Sequence, residues 1–387
     1  MKIAIITSGI LPVPAVQGGA VENLIDYLLE YNNNYHLHDI FVYSVFNHKT
    51  SQHPALQSSV NHYEYIQTKT RSYRISAKIY SYIGHHYCYH YQLEYFFESV
   101  WRKMKDKHFD LIILENRPGF ALQLSERTQT PIISHIHTNL LCEPSAINQQ
   151  IVKSTYRFFA VSDYIKEEIK KVGIDCDIRT VYNGLDFSVF NSKSNTTICR
   201  KDFGFTDNDF VIVFWGRLVP KKGIKELILA LELLKEQKDI KLLVIGSINF
   251  EDTDNQTNPF IEELREVAER VHGKITFTGF IPYQEIANYI TLANVAVIPS
   301  NINEAFGMTC IEACALGLPV IATNDGGIPE ALTGQKHVLI DKNSNLSEQL
   351  KDAILKVKND YSSYLGNHLN PKFERDTYCR SFYNNLK

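Results

Sequence analysis

Arg217 and Lys222 lie five residues apart in Phe214-Trp215-Gly216-Arg217-Leu218-Val219-Pro220-Lys221-Lys222-Gly223, a loop between a β-forming run and an amphipathic stretch. A strand-to-helix loop of this kind aims backbone N–H groups and the positive end of a helix dipole at an anion. Arg adds a planar fork that matches phosphate oxygens and Lys a mobile point charge, so the pair suits a departing diphosphate without a metal ion. Taken alone, the loop serves equally well as a capped turn. Glu304 and Glu312 form a second pair, eight residues apart in Pro299-Ser300-Asn301-Ile302-Asn303-Glu304-Ala305-Phe306-Gly307-Met308-Thr309-Cys310-Ile311-Glu312-Ala313. A loop carboxylate can accept hydrogen bonds from sugar hydroxyls, and a helix carboxylate can hold a ribose diol through two. Gly307, near the helix start, lets backbone amides approach a phosphate closely. An isolated pair at this spacing would also suit two solvated surface glutamates.

Three further groups carry less specific signals. Gly317-Leu318-Pro319 leads through Val320-Ile321-Ala322 to a glycine pair, Gly326-Gly327, and then Glu330. Near the start, Gly18-Gly19 precede Glu22 and a helix predicted from Ala20, which offers amides to a ligand without spelling G-x-G-x-x-G. His135 and His137 close a predicted strand, Pro131 to His137, so strand alternation puts both on one face; a hydrogen-bonded core histidine is the other reading for each. Asp252-Thr253-Asp254 spells D-x-D, a divalent-ion motif elsewhere, but it sits in a polar insertion and reads as a loop coincidence. No H-E-x-x-H, Walker loop, G-x-S-x-G or Cys/His cluster is present, so metal and serine-hydrolase chemistry lack support.

These residues must be positioned by elements, and the chain has enough of them. Its 387 residues are 44% hydrophobic and 21% charged, a globular composition with length for two domains. A formal net charge of -3 provides no basic field to hold nucleic acid. Seven cysteines are scattered without a C-x-x-C, so a reducing cytoplasm is expected and the sequons at Asn195, Asn255 and Asn345 carry no glycan. Cys310 and Cys314 share a helix face, as core residues do. No apolar run reaches the roughly 18 residues of a membrane span, and Met1 to Thr7 reads as a buried strand rather than a signal peptide.

Strand-like runs alternate with helical patterns throughout: Lys2–Ser8, a helix near Ala20–Tyr31, then Asp39–Val45, Asp110–Glu115, Pro131–His137, Arg157–Ser162 and Arg179–Tyr182. Asn183-Gly184 reads as a turn before a polar stretch, Asn191 to Thr197, that suits a linker. A second series follows at Phe210–Trp215, Ile224–Lys235, Ile240–Ile245, Pro259–Val271, Lys274–Thr278, Val295–Pro299, Pro319–Ala322 and His337–Ile340. Such alternation predicts an α/β chain of two Rossmann-like domains with parallel sheets facing across an interdomain cleft, ligands lying at the carboxyl ends of the strands. The expected domains are residues 1–190 and 191–365, with a C-terminal helix at about 366–387 that either returns to the first or packs locally. Residues 63–107 stand apart, with eight Lys/Arg against four Asp/Glu interleaved with Tyr and Trp. That mixture suits a membrane interface or an anionic lipid-linked ligand, or equally a solvated helix face with tyrosines packed beneath it.

In order and approximate spacing, these motifs resemble the retaining glycosyltransferases of family 4, whose two-domain architecture is called GT-B. The resemblance rests on Gly216-Arg217 through Lys222-Gly223, Pro299-Ser300, Glu304 through Gly307 with Glu312-Ala313, Gly317-x-Pro319 and Gly326-Gly327-x-x-Glu330, and it covers most of the chain. It implies Arg217 and Lys222 as ligands of the donor diphosphate, Glu312 as the ribose binder and Glu304 as the glutamate beside the donor sugar. Phe306, Gly307 and Met308 would present backbone amides. Gly18 and Gly19 match the first-domain glycine loop, His137 the histidine near the sugar's C6 side, and Ile281 the position whose backbone reads the nucleobase.

The chemistry so implied moves a hexose from a UDP-linked donor to an acceptor hydroxyl with retention, without metal or other cofactor. The expected acceptor is a lipid-linked or surface polysaccharide precursor at the inner membrane face, touched peripherally through residues 63–107. Two departures stand out. Ser247-Ile-Asn-Phe250 replaces the family's usual second glycine after Gly246, and residues 63–107 match no fixed motif. A UDP-sugar epimerase of the same shape and a catalytically inactive nucleotide-sugar-binding module remain as alternatives. A dinucleotide oxidoreductase lacks its glycine fingerprint.

Overall fold

Each apolar run predicted as a strand forms one, and every strand is parallel to its neighbours. The computed structural model describes residues 1–83, 88–190, 198–247, 258–271, 273–342 and 344–387. The polar stretch 191–197, the D-x-D and the sequons at Asn195 and Asn255 lie outside the described residues. The chain divides into two units, one of Met1–Asn183 with Tyr378–Lys387 and one of Gly184–Thr377.

In the first unit β1 (Lys2–Ile6), β2 (Asp39–Val45), β3 (Asn61–Ile66), β4 (Leu111–Glu115), β5 (Ile132–Ile136), β6 (Arg157–Ala160) and β7 (Asp177–Thr180) order as β3-β2-β1-β4-β5-β6-β7. Central strands are buried on both faces, which is why they read as unbroken apolar runs. Edge strand β3, Asn-His-Tyr-Glu-Tyr-Ile, has no such run, and sequence reasoning passed over it. Edge strand β7 is half-exposed and polar and begins two residues before the predicted run.

The helix Ala20–Tyr35 buries Leu24, Ile25, Leu28 and Leu29 against this sheet, and its buried Asn32 donates to Asn61 Oδ1 of β3 at 2.7 Å. Tyr378, Cys379, Phe382 and Tyr383, from the helix Arg375–Asn384, join the same core. Among the described residues of 63–107 are the end of β3 and two helices, Arg71–Ile83 and Tyr91–Met104. Tyr73 packs inward, its ring 5.0 Å from that of Tyr95 and its hydroxyl 2.8 Å from Gln92 O. Glu64 takes up part of the local positive charge through Lys103 (3.1 Å) and Lys107 (2.7 Å). No helix among the described residues is long and apolar enough to cross a membrane.

In the second unit β8 (Phe210–Trp215), β9 (Ile240–Ile245), β10 (Ile275–Phe277), β11 (Val295–Ile298), β12 (Val320–Thr323) and β13 (His337–Ile340) order as β10-β9-β8-β11-β12-β13. Both sheets therefore reverse direction once, between β1 and β4 and between β8 and β11. In open parallel sheets the loops that part company at such a reversal leave a crevice at the strands' carboxyl ends, where ligands bind.

Candidate functional site

In the six-stranded unit the loops leaving β8 and β11 are fastened together. The turn Pro220–Lys222 ends at Gly223, whose φ of 71° is left-handed and whose hypothetical Cβ would stand 1.8 Å from Pro299 O, so only glycine fits. Asn301 N donates to Lys221 O at 2.8 Å. Across this junction Lys222 Nζ meets Glu304 Oε1, the oxygen that also accepts from Ser300 Oγ at 2.6 Å. The loop after β12 fixes the backbone of Glu304: Gly327 N donates to Glu304 O at 2.8 Å, and a Cβ on Gly326 would come within 2.1 Å of that oxygen. Arg217 is exposed, while its neighbour Leu218 is buried and anchors the loop.

Glu312 belongs to the helix Met308–Ala315, which starts at Gly307 with φ 102°. Its carboxylate is buried and accepts from Trp215 Nε1 at 2.7 Å and from the Tyr283 hydroxyl. Burial pushes its pKa up to about 7 against the opposing pull of these two donors and of Lys222. Phe306 is buried edge-on to Phe373, with centroids 5.1 Å apart, and Met308 is half-buried. Ile281 is half-buried two residues before Tyr283. Lys222, Glu304 and Glu312 thus share one neighbourhood, to which Ser300, Trp215 and Tyr283 are additions that sequence reasoning did not single out. Trp215 at the end of an apolar strand, directly before Gly216-Arg217, was the available signal. Chemically, this neighbourhood offers the Lys222 ammonium and helix-start amides for phosphate and a buried carboxylate for a diol.

In the seven-stranded unit Gly18 and Gly19 take φ of 76° and 107° before the helix at Ala20. Their loop is tied down by Val13 N to Ser44 Oγ (3.0 Å) and Ala15 N to Asp26 Oδ2 (2.8 Å). Burial pushes Asp26 up to about 7 and raises the buried Glu22, which accepts from Ser8 Oγ at 3.3 Å. His135 and His137 share a face, with ring centroids 4.0 Å apart, and both address Glu115 at the end of β4. Its Oε2 lies 2.9 Å from His137 Nε2 and 3.2 Å from His135 Nδ1. Burial works to raise the Glu115 pKa, but the two imidazoles outweigh it and bring it to about 2; burial pushes His137 down to about 4. Asn116, at φ 55°, accepts from His137 N at 3.1 Å, and Arg117 Nε donates to Ser8 O at 3.1 Å, joining the loops after β1 and β4. Glu115-Asn116-Arg117 went unnoticed in the sequence, where a polar triplet closing an apolar strand was the signal. Among the described residues, Glu115, His135 and His137 are the group of three whose ligand atoms, all within 4.8 Å of one another, could hold a metal ion.

Residues 195–369 match the family described as glycosyl transferases group 1, and residues 54–189 match glycosyltransferase family 4. The chain is 28% identical to YtcC of Bacillus subtilis, a protein named for a glycosyltransferase, over 92% of this chain and 82% of YtcC. It is 25% identical to spore coat protein SA of the same organism, over 87% and 84%. Among solved structures, HepE of Anabaena in complex with UDP-glucose matches with a TM-score of 0.73 at 22% identity, covering 100% of this chain and 99% of HepE.

Proposed function

The chain belongs to the group 1 glycosyltransferases of family 4, GT-B enzymes that use nucleotide-sugar donors, and we propose that it moves a hexose from UDP to an acceptor hydroxyl with retention and without a metal ion. The observation that carries this reading is the cation-carboxylate neighbourhood at the β8/β11 reversal, where Lys222 is held by Glu304 and Glu312 is buried beneath Trp215. In the proposed reaction the acceptor oxygen attacks the anomeric carbon on the face the diphosphate leaves. The acceptor's proton passes to the departing phosphate oxygen, and Arg217 and Lys222 stabilise the charge released. No protein nucleophile takes part. Phe306, Gly307 and Met308 offer amides to sugar and phosphate, Gly18 and Gly19 do so from the first unit, Ile281 reads the base through its backbone, and His137 serves the sugar's C6 side. HepE, of like fold, was crystallised with UDP-glucose, which supports uridine as the base.

Isothermal titration of UDP, GDP and ADP in EDTA tests the donor half. Selective binding of UDP is expected, weakened about tenfold or more in Arg217→Ala through loss of a charge-assisted fork. Preference for GDP or ADP would contradict the base assignment, and failure of the folded protein to bind any of the three would remove the nucleotide-sugar donor site from the account.

The acceptor is proposed to be a lipid-linked or surface polysaccharide precursor, reached at an anionic membrane surface. On the helix Arg71–Ile83 the outward residues Ile75, Ile79 and Tyr82 are 53%, 55% and 80% exposed, beside exposed Arg71, Arg74 and Lys78. An apolar stripe flanked by cations fits a headgroup boundary. Cosedimentation with phosphatidylglycerol vesicles is expected to exceed that with phosphatidylcholine and to fall at least about tenfold in an Ile75→Glu/Ile79→Glu double variant. Equal behaviour of the variant and the parent would remove this surface from the account.

A further inference from the structure

We infer that Glu115 is a positioning residue for His137, holding its imidazole in the tautomer protonated on Nε2 so that Nδ1 is left to accept a hydrogen bond from a donor-sugar hydroxyl. The inference rests on the proposed placement of His137 beside that sugar. An ionised carboxylate has no proton to give, so both rings must donate to Glu115: His137 Nε2 to Oε2 at 2.9 Å, and His135 Nδ1 across the two oxygens, 3.2 Å from Oε2 and 3.4 Å from Oε1. Each tautomer is thereby set by the one carboxylate: His137 carries its proton on Nε2 and His135 on Nδ1. The carboxylate is fully buried, and His135 is wedged between His137 and the rings of Phe159 and Phe382, so the pair is held from behind.

The backbone is held as well. Asn116, next in sequence to Glu115 and left-handed at φ 55°, accepts from His137 N at 3.1 Å and from Thr138 Oγ1 at 2.9 Å. Two adjacent residues therefore fix the ring and the main chain of His137. Burial keeps the His137 ring neutral at pH 7, as an acceptor must be. Its Nδ1 is buried without a hydrogen-bond partner among the described residues. A lone acceptor of this kind is costly to leave unpaired, and a substrate hydroxyl would satisfy it where binding opens the side of the ring that the unliganded protein closes.

The same three side chains have the spacing to ligate a metal ion. An ion there would turn His135 Nε2 and His137 Nδ1 into buried N–H donors, and neither has a partner among the described residues. Metal-bound histidines almost always give that second N–H to a carboxylate, carbonyl or water, so the metal-free arrangement fits these surroundings better.

The test uses the full chain labelled with 15N-histidine. Long-range proton–nitrogen correlation, with His137 identified by its absence in His137→Gln, is expected to show Nε2 protonated and Nδ1 bare. Glu115→Gln should lose that single tautomer, because an amide has one acceptor oxygen and its NH2 donates to the other ring. In parallel, hydrolysis of UDP-glucose, UDP-galactose and their N-acetyl forms is followed. Glu115→Gln is expected to lower kcat for the fastest of these about tenfold with KM and Tm near the parent's. An unaltered tautomer in Glu115→Gln overturns the inference, as does zinc retained stoichiometrically by the parent through gel filtration. Hydrolysis by His137→Ala at the parent's rate sinks the placement of His137 beside the donor sugar, and where the parent hydrolyses none of the four the tautomer measurement alone decides the inference. Impaired His137→Ala beside unimpaired Glu115→Gln overturns the inference alone.

Discussion

Lys222→Ala is expected to lower turnover about 10²–10³-fold, the cost of removing one preorganised charge from a developing anion. Lys222 sits at the end of a single helical turn, held by Gly223 and by the bond from Asn301 N to Lys221 O, so its ammonium is aimed before any ligand arrives. Glu304 keeps it there, and Ser300 Oγ at 2.6 Å would still satisfy Glu304 in the variant. Both side chains are partly solvated, 27% and 16% exposed, so the pair contributes about 1 kcal/mol to stability and the fold should survive its loss. Steady-state release of UDP together with a thermal melt checks this. Glu304→Ala should behave alike in kind, depressing transfer more than it lowers Tm, since it frees Lys222 and Ser300 at once. Turnover by Lys222→Ala at the parent's rate would remove that residue from the site.

The reason Lys222 could be found at all from sequence is that its unit carries its chemistry in loops directly after buried strands. An apolar run followed by Gly216-Arg217, or by Pro299-Ser300, marks both the strand's end and the ligand side of the sheet. What could not be read was pairing over distance. Lys222 and Glu304 are 82 residues apart and Trp215 and Glu312 are 97, and nothing local says that one will occupy the other. The isolated Glu304/Glu312 pair fits two solvated glutamates as well as a site, yet folding leaves Glu312 buried. In the seven-stranded unit the strand alternation of β5 put His135 and His137 on one face, but their shared partner Glu115 lies on β4, the strand beside it. Edge strand β3 was missed for a different reason: half-exposed strands keep polar residues such as His62 and Glu64, and the apolar signal that marks a buried strand is absent.

Burial of Glu312 has an expected consequence for the balance between stability and ligand binding. Its folded pKa of about 7 lies above the ordinary 4.5, so the native state binds its proton more tightly than the unfolded chain does. Between these values the contribution of Glu312 to stability falls as pH rises, and above about pH 7 the buried charge costs about 3 kcal/mol relative to the protonated form. Glutamine is neutral throughout, keeps an oxygen for Trp215 Nε1 and leaves the Tyr283 hydroxyl an amide to accept from. Glu312→Gln should therefore melt near the parent at pH 5, gain on it up to about pH 7 and hold that gain to pH 8. Nucleotide binding should move oppositely. A carboxylate with two donors already in place still has lone pairs for a ribose diol, and protonation turns one oxygen into a donor and weakens both as acceptors. Affinity of the parent for UDP should rise with pH through this window, while that of Glu312→Gln stays low and flat, about tenfold or more below the parent at pH 8. A parallel pH response of melting in both proteins would show that Glu312 titrates as an ordinary carboxylate, and equal UDP affinities at pH 8 would separate it from the ribose. The expected pattern instead describes a residue whose charge is retained against folding stability because the ligand requires it.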